Sequence, residues 1–515
     1  MTDTNKKITH ADVRMYRMGT GDCFVVKFFA EKVNTFTIMI DCGTWQGKKQ
    51  HLEKYIAHLK DYLKEDRRKT KPTIDLLIVT HEHKDHVYGF DVCKELFLQD
   101  LEIKKIWMGW TEKDEPTAIN DPLDEKLKEW KTEHGQRKKA LNVANNEFQK
   151  MLVSLEGNKT KGAKAKRSFA MALNQFANLQ FSATGQYAGD LEGMRVVKKE
   201  IAKNNISFLR PGEIKDDLAG AEGLRFYILG PPTSIEAIKK EGGPVGETFN
   251  HSQNNKSTDN NSFAAALLNL AEPQPLSSIL PFDESFLLDN AAAGALPDET
   301  VKRYDDNQQT WRRIDNDWLD SAGTLALRMN SATNNLSLAL AIEFTDSERV
   351  MLFPGDAEFG SWESWHTIQW NKKSKDEKKH LTEELLNRTV FYKVAHHLSH
   401  NGTAKRLGVE MMKHKDLACM ATLDYHVISS GWTNTMPNRD LIADLLTRTK
   451  GRVIIMNEEG LYVNQATKKE PLKDRILQTR QQLMNDAEEE EFKKAFSSDE
   501  EGLYLQYRVR ATELL

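Results

Sequence analysis

Residues 81–86 read His81-Glu82-His83-Lys84-Asp85-His86, which sets three imidazoles and the Asp85 carboxylate within one short loop. In a loop at a strand end, residues i and i+2 point to one place while i+4 and i+5 turn toward a second. Imidazole and carboxylate donors together suit Zn²⁺ or a neighbouring first-row metal. Two such cations held side by side form an arrangement used for hydrolysis. The plainer reading, a His-rich polar surface loop, leaves the apolar strand directly before it unexplained. Two later strand ends offer the rest of a cage. Val350 to Pro354 runs into Gly355-Asp356-Ala357-Glu358, where Asp356 is placed to bridge two cations; taken alone, Gly355-Asp356 reads equally well as a turn. Val390 to Ala395 runs into His396-His397-Leu398-Ser399-His400. A tandem His at a strand end supplies one ligand and one supporting or substrate-facing imidazole. Spacing alone leaves their order open; we take His397 as the ligand, and His400 as a loop residue.

The elements that position these loops follow from patterning. Met15 to Phe29 alternates and ends in the apolar run Cys23-Phe24-Val25-Val26-Lys27-Phe28-Phe29, and Thr35 to Ile40 is a second β-branched run stopped by Asp41-Cys42-Gly43. Leu52, Tyr55, Ile56, Leu59 and Leu63 fall at helical spacing. Ile74 to Thr80 reads as a buried strand that delivers the chain to His81. A length of 515 residues implies about two to four units, or one large domain with insertions. Hydrophobic residues at 39% and charged residues at 29% describe a globular chain rather than a disordered one. With 72 basic and 76 acidic residues the net charge is −4, so the protein as a whole is no basic nucleic-acid coat. Cys23, Cys42, Cys93 and Cys419 are scattered, with no apolar run long enough for a membrane span and no apolar core for a signal peptide. The expectation is a cytoplasmic protein.

Ordered along the chain, these motifs resemble a metallo-β-lactamase-fold hydrolase, in particular the nuclease-like branch of the competence DNA-uptake (ComEC-type) proteins. Gly19-Thr20-Gly21-Asp22 is similar to that family's opening GxGD, Thr37 to Gly43 to its IDxG strand, and residues 81–86 to its HxHxDH loop. Phe208 to Gly212 and Phe226 to Pro232 resemble the stretch before the second half. Asn334-Asn335-Leu336-Ser337, Asp356 and His396-His397 resemble the branch's NNxS, GDAE and HHGS positions, and Val427 to Pro437 its closing segment. The resemblance implies an α/β (α+β) chain folded as an αββα sandwich, with two metals between the edges of two sheets. His81, His83 and Asp356 would hold one; Asp85, His86, Asp356 and His397 the other. It implies that a metal-bridged hydroxide attacks the substrate, that His396 touches a phosphate or leaving oxygen, and that Asp41, and Asp22 with it, orients a ligand imidazole. Leu398 stands where the family has Gly. No third His accompanies the Asn334 strand, so the first site is open and Mn²⁺ is an alternative to Zn²⁺.

The core halves then occupy residues 1–110, 206–232 and 324–470, with insertions at 111–205 and 233–323 and a C-terminal helix and acidic tail at 471–515. Leu123 to Leu155 and Phe169 to Leu179 have helical patterning. Between them Lys159, Lys161, Lys164, Lys166 and Arg167 form a basic stretch that would track a phosphate backbone. The second insertion opens on a polar run from Asn250 and turns acidic from Asp283 to Asp320; it and the run Asp486 to Glu491 are candidate partner-protein surfaces. The leading expectation is a dinuclear metallo-hydrolase, a nuclease or phosphodiesterase on DNA or RNA. The alternatives are a hydrolase of a small phosphodiester, phosphocholine ester, lactone or thioester, and a metal-stabilised, non-catalytic partner-binding protein.

Overall fold

The computed structural model describes residues 7–45, 49–64, 71–114, 123, 125–138, 192–202, 205–244, 246–249, 329–371, 380–428, 436–465 and 467–512. The basic stretch from Lys159 to Arg167, the polar and acidic runs of the second insertion, and Ser429 to Asn434 lie outside them. The chain divides into two compact units, one of residues 1–128, 179–255 and 331–515, the other of residues 129–178 and 256–330. In the second, the described part of the patterned segment after Leu123 is helical, with Trp130 stacked 4.7 Å from His134 and Arg137 paired with Glu133 at 2.6 Å.

The first unit holds two large sheets and two small two-stranded pairs, Thr73–Ile74 with Glu102–Ile103 and Tyr462–Asn464 with Lys469–Pro471. The large sheets build the core. One contains β1 (His10–Tyr16), β2 (Phe24–Ala30), β3 (Val33–Ile40), β4 (Leu76–Ile78), β5 (Ile106–Gly109) and β6 (Ile206–Leu209). The other contains β7 (Ile214–Lys215), β8 (Leu224–Ile228), β9 (Leu340–Phe344), β10 (Arg349–Phe353), β11 (Thr389–Lys393), β12 (Ala418–Asp424) and β13 (Val453–Asn457). A C-terminal hairpin, β14 (Phe496–Ser498) and β15 (Tyr504–Arg510), joins the outer side of β1. The eight-stranded sheet runs β14-β15-β1-β2-β3-β4-β5-β6 and the seven-stranded sheet β13-β12-β11-β10-β9-β8-β7.

Side-chain alternation explains the layering. Phe24, Val26, Phe28, Ile38 and Ile40 face a core shared with Phe226, Ile342, Met351, Phe353 and Phe391 of the other sheet. Val25 and Met39 face the opposite way, onto Leu52, Tyr55, Ile56 and Leu59 of the helix Lys49–Lys64 and Phe90 of the helix Lys84–Val92. On the far side of the second sheet Tyr392 turns away from Phe391's core and meets Trp362 of the helix Phe359–Trp365 edge-on at 6.2 Å. Helices therefore cover both outer faces, giving the expected αββα sandwich.

Two local readings differ from the structure. Met15 to Phe29 is two strands, split by the turn around Gly19 and Gly21; β1 begins at His10, where Asp12 and Arg14 pair outward with Arg508 and Gln506. Ile74 to Thr80 is interrupted at Asp75, whose carboxylate accepts from the Thr37 N–H at 3.0 Å and from Lys104 Nζ at 2.8 Å. The acidic run Asp486 to Glu491 opens a helix, Asp486–Ala495, capped by a reciprocal Asn485–Glu488 box. Residues 192–202, assigned above to the first insertion, pack Met194, Val196 and Val197 into the core beneath the first sheet.

Phe353 touches Phe24 across the sheets at 6.4 Å and Phe391 alongside at 5.5 Å, and is 1% exposed. Phe353→Ala is expected to cost about 3–5 kcal/mol, read as a lower urea midpoint at unchanged slope.

Candidate metal centre

Strand register brings the motif loops to one place. β3 and β4 run parallel with Ile40 opposite Ile78, so Asp41 leaves its strand beside Thr80; Thr80 N–H donates to Asp41 Oδ1 at 2.8 Å. β10, β11 and β12 also run parallel, which delivers Asp356, His396-His397 and Thr422 at neighbouring strand ends. The two sheets are tied there by Leu338 N–H donating to the Thr80 carbonyl at 2.8 Å.

Around this point His81, His83, Asp85, His86, Asp356 and His397 are all buried. His86 Nδ1 lies 2.7 Å from Asp41 Oδ2, and Thr80 Oγ1 donates to the same oxygen at 2.6 Å. Thr80 Oγ1 is 3.1 Å from His81 Nδ1. Thr422 Oγ1 donates to Asp22 Oδ1 at 2.6 Å and is 2.8 Å from His397 Nδ1. Each spent hydroxyl or carboxylate must accept from the Nδ1–H, so in the neutral form of each imidazole the lone pair is on Nε2 and turned inward. His81 Nε2 stands 2.9 Å from His83 Nδ1. His86 Nε2 is 3.0 Å, and His397 Nε2 3.1 Å, from Asp356 Oδ2; His397 Nε2 is also 3.0 Å from Asp85 Oδ2. The Trp45 indole N–H donates to Asp85 Oδ2. Among the described residues Asp85 Oδ1 is buried with no hydrogen-bond partner, and His86 Nε2 is buried with no contact but the Asp356 carboxylate. An unsatisfied carboxylate oxygen in a pocket of nitrogen and oxygen donors fits a divalent cation. Asp22, His86, Asp356 and His397 each bring a ligand atom within 4.8 Å of the others.

The electrostatics divide these donors. Burial pushes His81 well below the ordinary imidazole value and His83 down to about 4. Burial also disfavours charge on His397, but Asp356 and Asp85 beside it outweigh this and raise it to about 9. Burial opposes charge on His86 too, and there Asp356 and Asp41 prevail and hold it well above the ordinary imidazole value. Burial would raise Asp85, yet His86 and His397 hold it down to about 2. Lys393, 2.5 Å from Asp22 Oδ2 and 3.1 Å from Asp356 Oδ1, is desolvated but pushed upward by those two carboxylates.

Backbone conformation fits the site closely. His396, His397 and Leu398 have φ of 44°, 50° and 66°, three successive non-glycine residues in the left-handed region, a strain of a kind that gathers at functional sites. Leu398 thus keeps the left-handed backbone that a Gly would take more easily. A Cβ on Gly43 would sit 2.2 Å from the Asp85 carbonyl carbon, because the Asp41-Cys42-Gly43 turn lies directly on the metal loop: Cys42 N–H donates to the His86 carbonyl at 2.8 Å, and Asp22 N–H to that of Asp85 at 2.8 Å.

The structure therefore gathers His81, His83, Asp85, His86, Asp356, His397 and Asp41 in one cluster. His396 lies at its margin, with Nδ1 2.8 Å from Ser399 Oγ and Nε2 3.3 Å from Asn334 Nδ2. His400 stays in the loop, where its carbonyl accepts from Phe249 N–H. Lys393, Trp45, Thr80 and Thr422 were assigned no site role by sequence reasoning. Lys393 interrupts an apolar strand and reads there as an outward residue; Ser337 and Glu358 were given no role either but carried a signal, their places in the Asn334-Asn335-Leu336-Ser337 and Gly355-Asp356-Ala357-Glu358 motifs.

A model of the metallo-beta-lactamase superfamily, whose members are mostly hydrolases, matches residues 17–116. The match takes in the Gly19–Asp22 turn, the Asp41–Gly43 turn and the whole metal loop. No curated protein matches the chain. The mixed α/β architecture of two sheets with outer helices agrees with that fold.

Because His86 and His397 carry protons near neutral pH and a metal requires bare nitrogens, cation uptake at pH 7 is expected to release about two protons. Affinity then rises with pH from neutrality, because both imidazoles are held above their ordinary value. Titration calorimetry with Zn²⁺ in buffers of different ionisation heat reads the release directly; a heat independent of buffer would refute it. Gly43→Ala is expected to lower both melting temperature and metal stoichiometry, by pushing the loop at Asp85 out of place.

Proposed function

We propose that the chain is a dinuclear metal-dependent hydrolase that cleaves phosphodiesters of nucleic acid, DNA or RNA. The observation that carries the reading is the buried His/Asp cluster with its unsatisfied Asp85 oxygen, set in a chain whose first part matches a mostly hydrolytic superfamily. The nuclease reading draws on the motif residues Asn334 to Ser337, Gly355 to Glu358 and His396-His397, which resemble the ComEC-type branch. They form one hydrogen-bonded unit: Asn335 Oδ1 accepts from Glu358 N–H at 3.1 Å, Ser337 Oγ from Asp356 N–H at 3.0 Å, and Asn334 Nδ2 donates to Glu358 Oε1 at 2.7 Å.

His81, His83 and Asp356 would hold one cation; Asp85, His86, Asp356 and His397 the other. When bound, such a pair supplies Lewis acidity at phosphoryl oxygens and brings the pKa of water near 7. Zn²⁺ suits the imidazoles, and Mn²⁺ the more open first position. The protein's own residues do the rest. Asp41, directly and through Thr80, and Asp22 through Thr422, keep the lone pairs of His86, His81 and His397 aimed inward. Trp45 fixes the Asp85 carboxylate. Burial lowers His396 to about 3, so it is neutral at working pH and hydrogen-bonds a phosphate oxygen rather than delivering a proton. Lys159, Lys161, Lys164, Lys166 and Arg167 would draw in the polyanion; the acidic runs would engage a protein partner.

The depth of the donors, at most 2% exposed, favours one alternative, a small phosphodiester or other small ester that reaches a narrow site. Labelled single-stranded and duplex DNA with Mn²⁺ or Zn²⁺, run beside Asp85→Ala, separates the two. Expected are metal-dependent cutting abolished by the substitution and DNA affinity that falls steeply with salt. Stoichiometric metal without cutting would move the assignment to small esters.

A further inference from the structure

Lys393 ends β11 with its side chain buried at the acidic side of the cluster, 2% exposed. Its ammonium meets three acceptors: Asp22 Oδ2 at 2.5 Å, Asp356 Oδ1 at 3.1 Å and the Gly355 carbonyl at 2.9 Å. Three donors are thereby matched by three acceptors, so the group is fixed rather than loosely placed. Asp22 has both oxygens engaged, one by Lys393 and one by Thr422 Oγ1. Yet its carboxylate lies within ligand distance of His86, Asp356 and His397. Asp356 is split the same way: Oδ1 serves Lys393, while Oδ2 alone faces the two imidazoles.

We propose that Lys393 sets the metal preference of this centre by holding Asp22 and one oxygen of Asp356 out of the donor set. What stays available beside it is two imidazole nitrogens, Asp85 and a single Asp356 oxygen. A set with as many imidazole nitrogens as carboxylates suits Zn²⁺, whereas added carboxylate oxygens suit Mn²⁺. The ammonium also adds a fixed positive charge next to the cation, a penalty that a short distance and low dielectric make large. Lys393 is a positioning residue, acting through two carboxylates. The inference rests on the metal-centre reading above.

The test is calorimetric competition of Mn²⁺ and Zn²⁺ on the full chain, without any activity assay. Lys393→Met releases up to two oxygens and one net negative charge, and is expected to raise Mn²⁺ affinity relative to Zn²⁺ by roughly tenfold or more. Asp22→Asn leaves the ammonium to Asp356 alone and is expected to weaken both metals. The double variant restores the charge balance and should return most of the way to the parent ratio. A merely structural lysine would make both single variants shift in the same direction. That result, or an unmoved ratio in folded Lys393→Met, overturns the proposal. Should Lys393→Met fail to fold by circular dichroism, Asp22→Asn decides: unchanged metal affinity there overturns it. A parent chain that binds neither metal overturns the metal-centre reading and this inference with it.

Discussion

Asp22, Asp41, Asp85 and Asp356 are each buried to within 2% of complete enclosure, around the same pair of imidazoles, His86 and His397. Carboxylates do not stay ionised in such company without compensating charge, because desolvation costs several kcal/mol per ion. The structure answers with layers. Asp41 is matched to His86, Asp22 to Lys393, and Asp85 and Asp356 to His397. Hydroxyls of Thr80 and Thr422 donate to Asp41 and Asp22, and Ser337 Oγ accepts from the Asp356 main-chain N–H. The architecture around the site follows from the need to assemble these groups from distant parts of the chain. Parallel strands do this naturally, since their ends on one side of a sheet present successive loops at one level.

Close backbone approach is the second requirement. The metal loop is clamped by the turns at Asp22 and Asp41 to Gly43, and both grip main-chain carbonyls, not side chains. Gly355, at φ 60°, performs a similar service in the other sheet, where a Cβ would meet the Ser337 side chain at 2.9 Å. The glycines of the GxGD, DxG and GD motifs thus earn their places by the thinness of the backbone at the junction of two loops. The ligands themselves are held by what lies beneath them.

How much of this was legible in the sequence depends on whether a residue's type announced its task. HxHxDH, Asp356 and the tandem His could be read because imidazole and carboxylate at strand ends have few structural uses. The apolar strands and the helix from Lys49 were legible by period. Lys393 was not, because within Val390-Phe391-Tyr392-Lys393-Val394 a single lysine looks like an ordinary outward residue. The Asp22–Thr422 relay joins positions 400 residues apart, and no local pattern carries such a pairing. β1 escaped for a related reason: its polar residues are satisfied by partners near residue 506. Asp75 broke an expected strand because its carboxylate takes a main-chain N–H from the neighbouring strand, an interaction invisible to hydropathy.

That distant partner of β1 bears on how the molecule is made. His10 pairs with Arg510 and Tyr16 with Tyr504, so the outer edge of β1 is covered by strands synthesised long after it. At ribosomal rates of about 5–20 residues per second, that edge waits roughly half a minute to a minute and a half for its neighbour. During that interval the nascent chain presents a ready-made template for foreign strands. The outward Asp12 and Arg14, ion-paired or hydrogen-bonded once the hairpin arrives, double as a guard over the edge while it stands open.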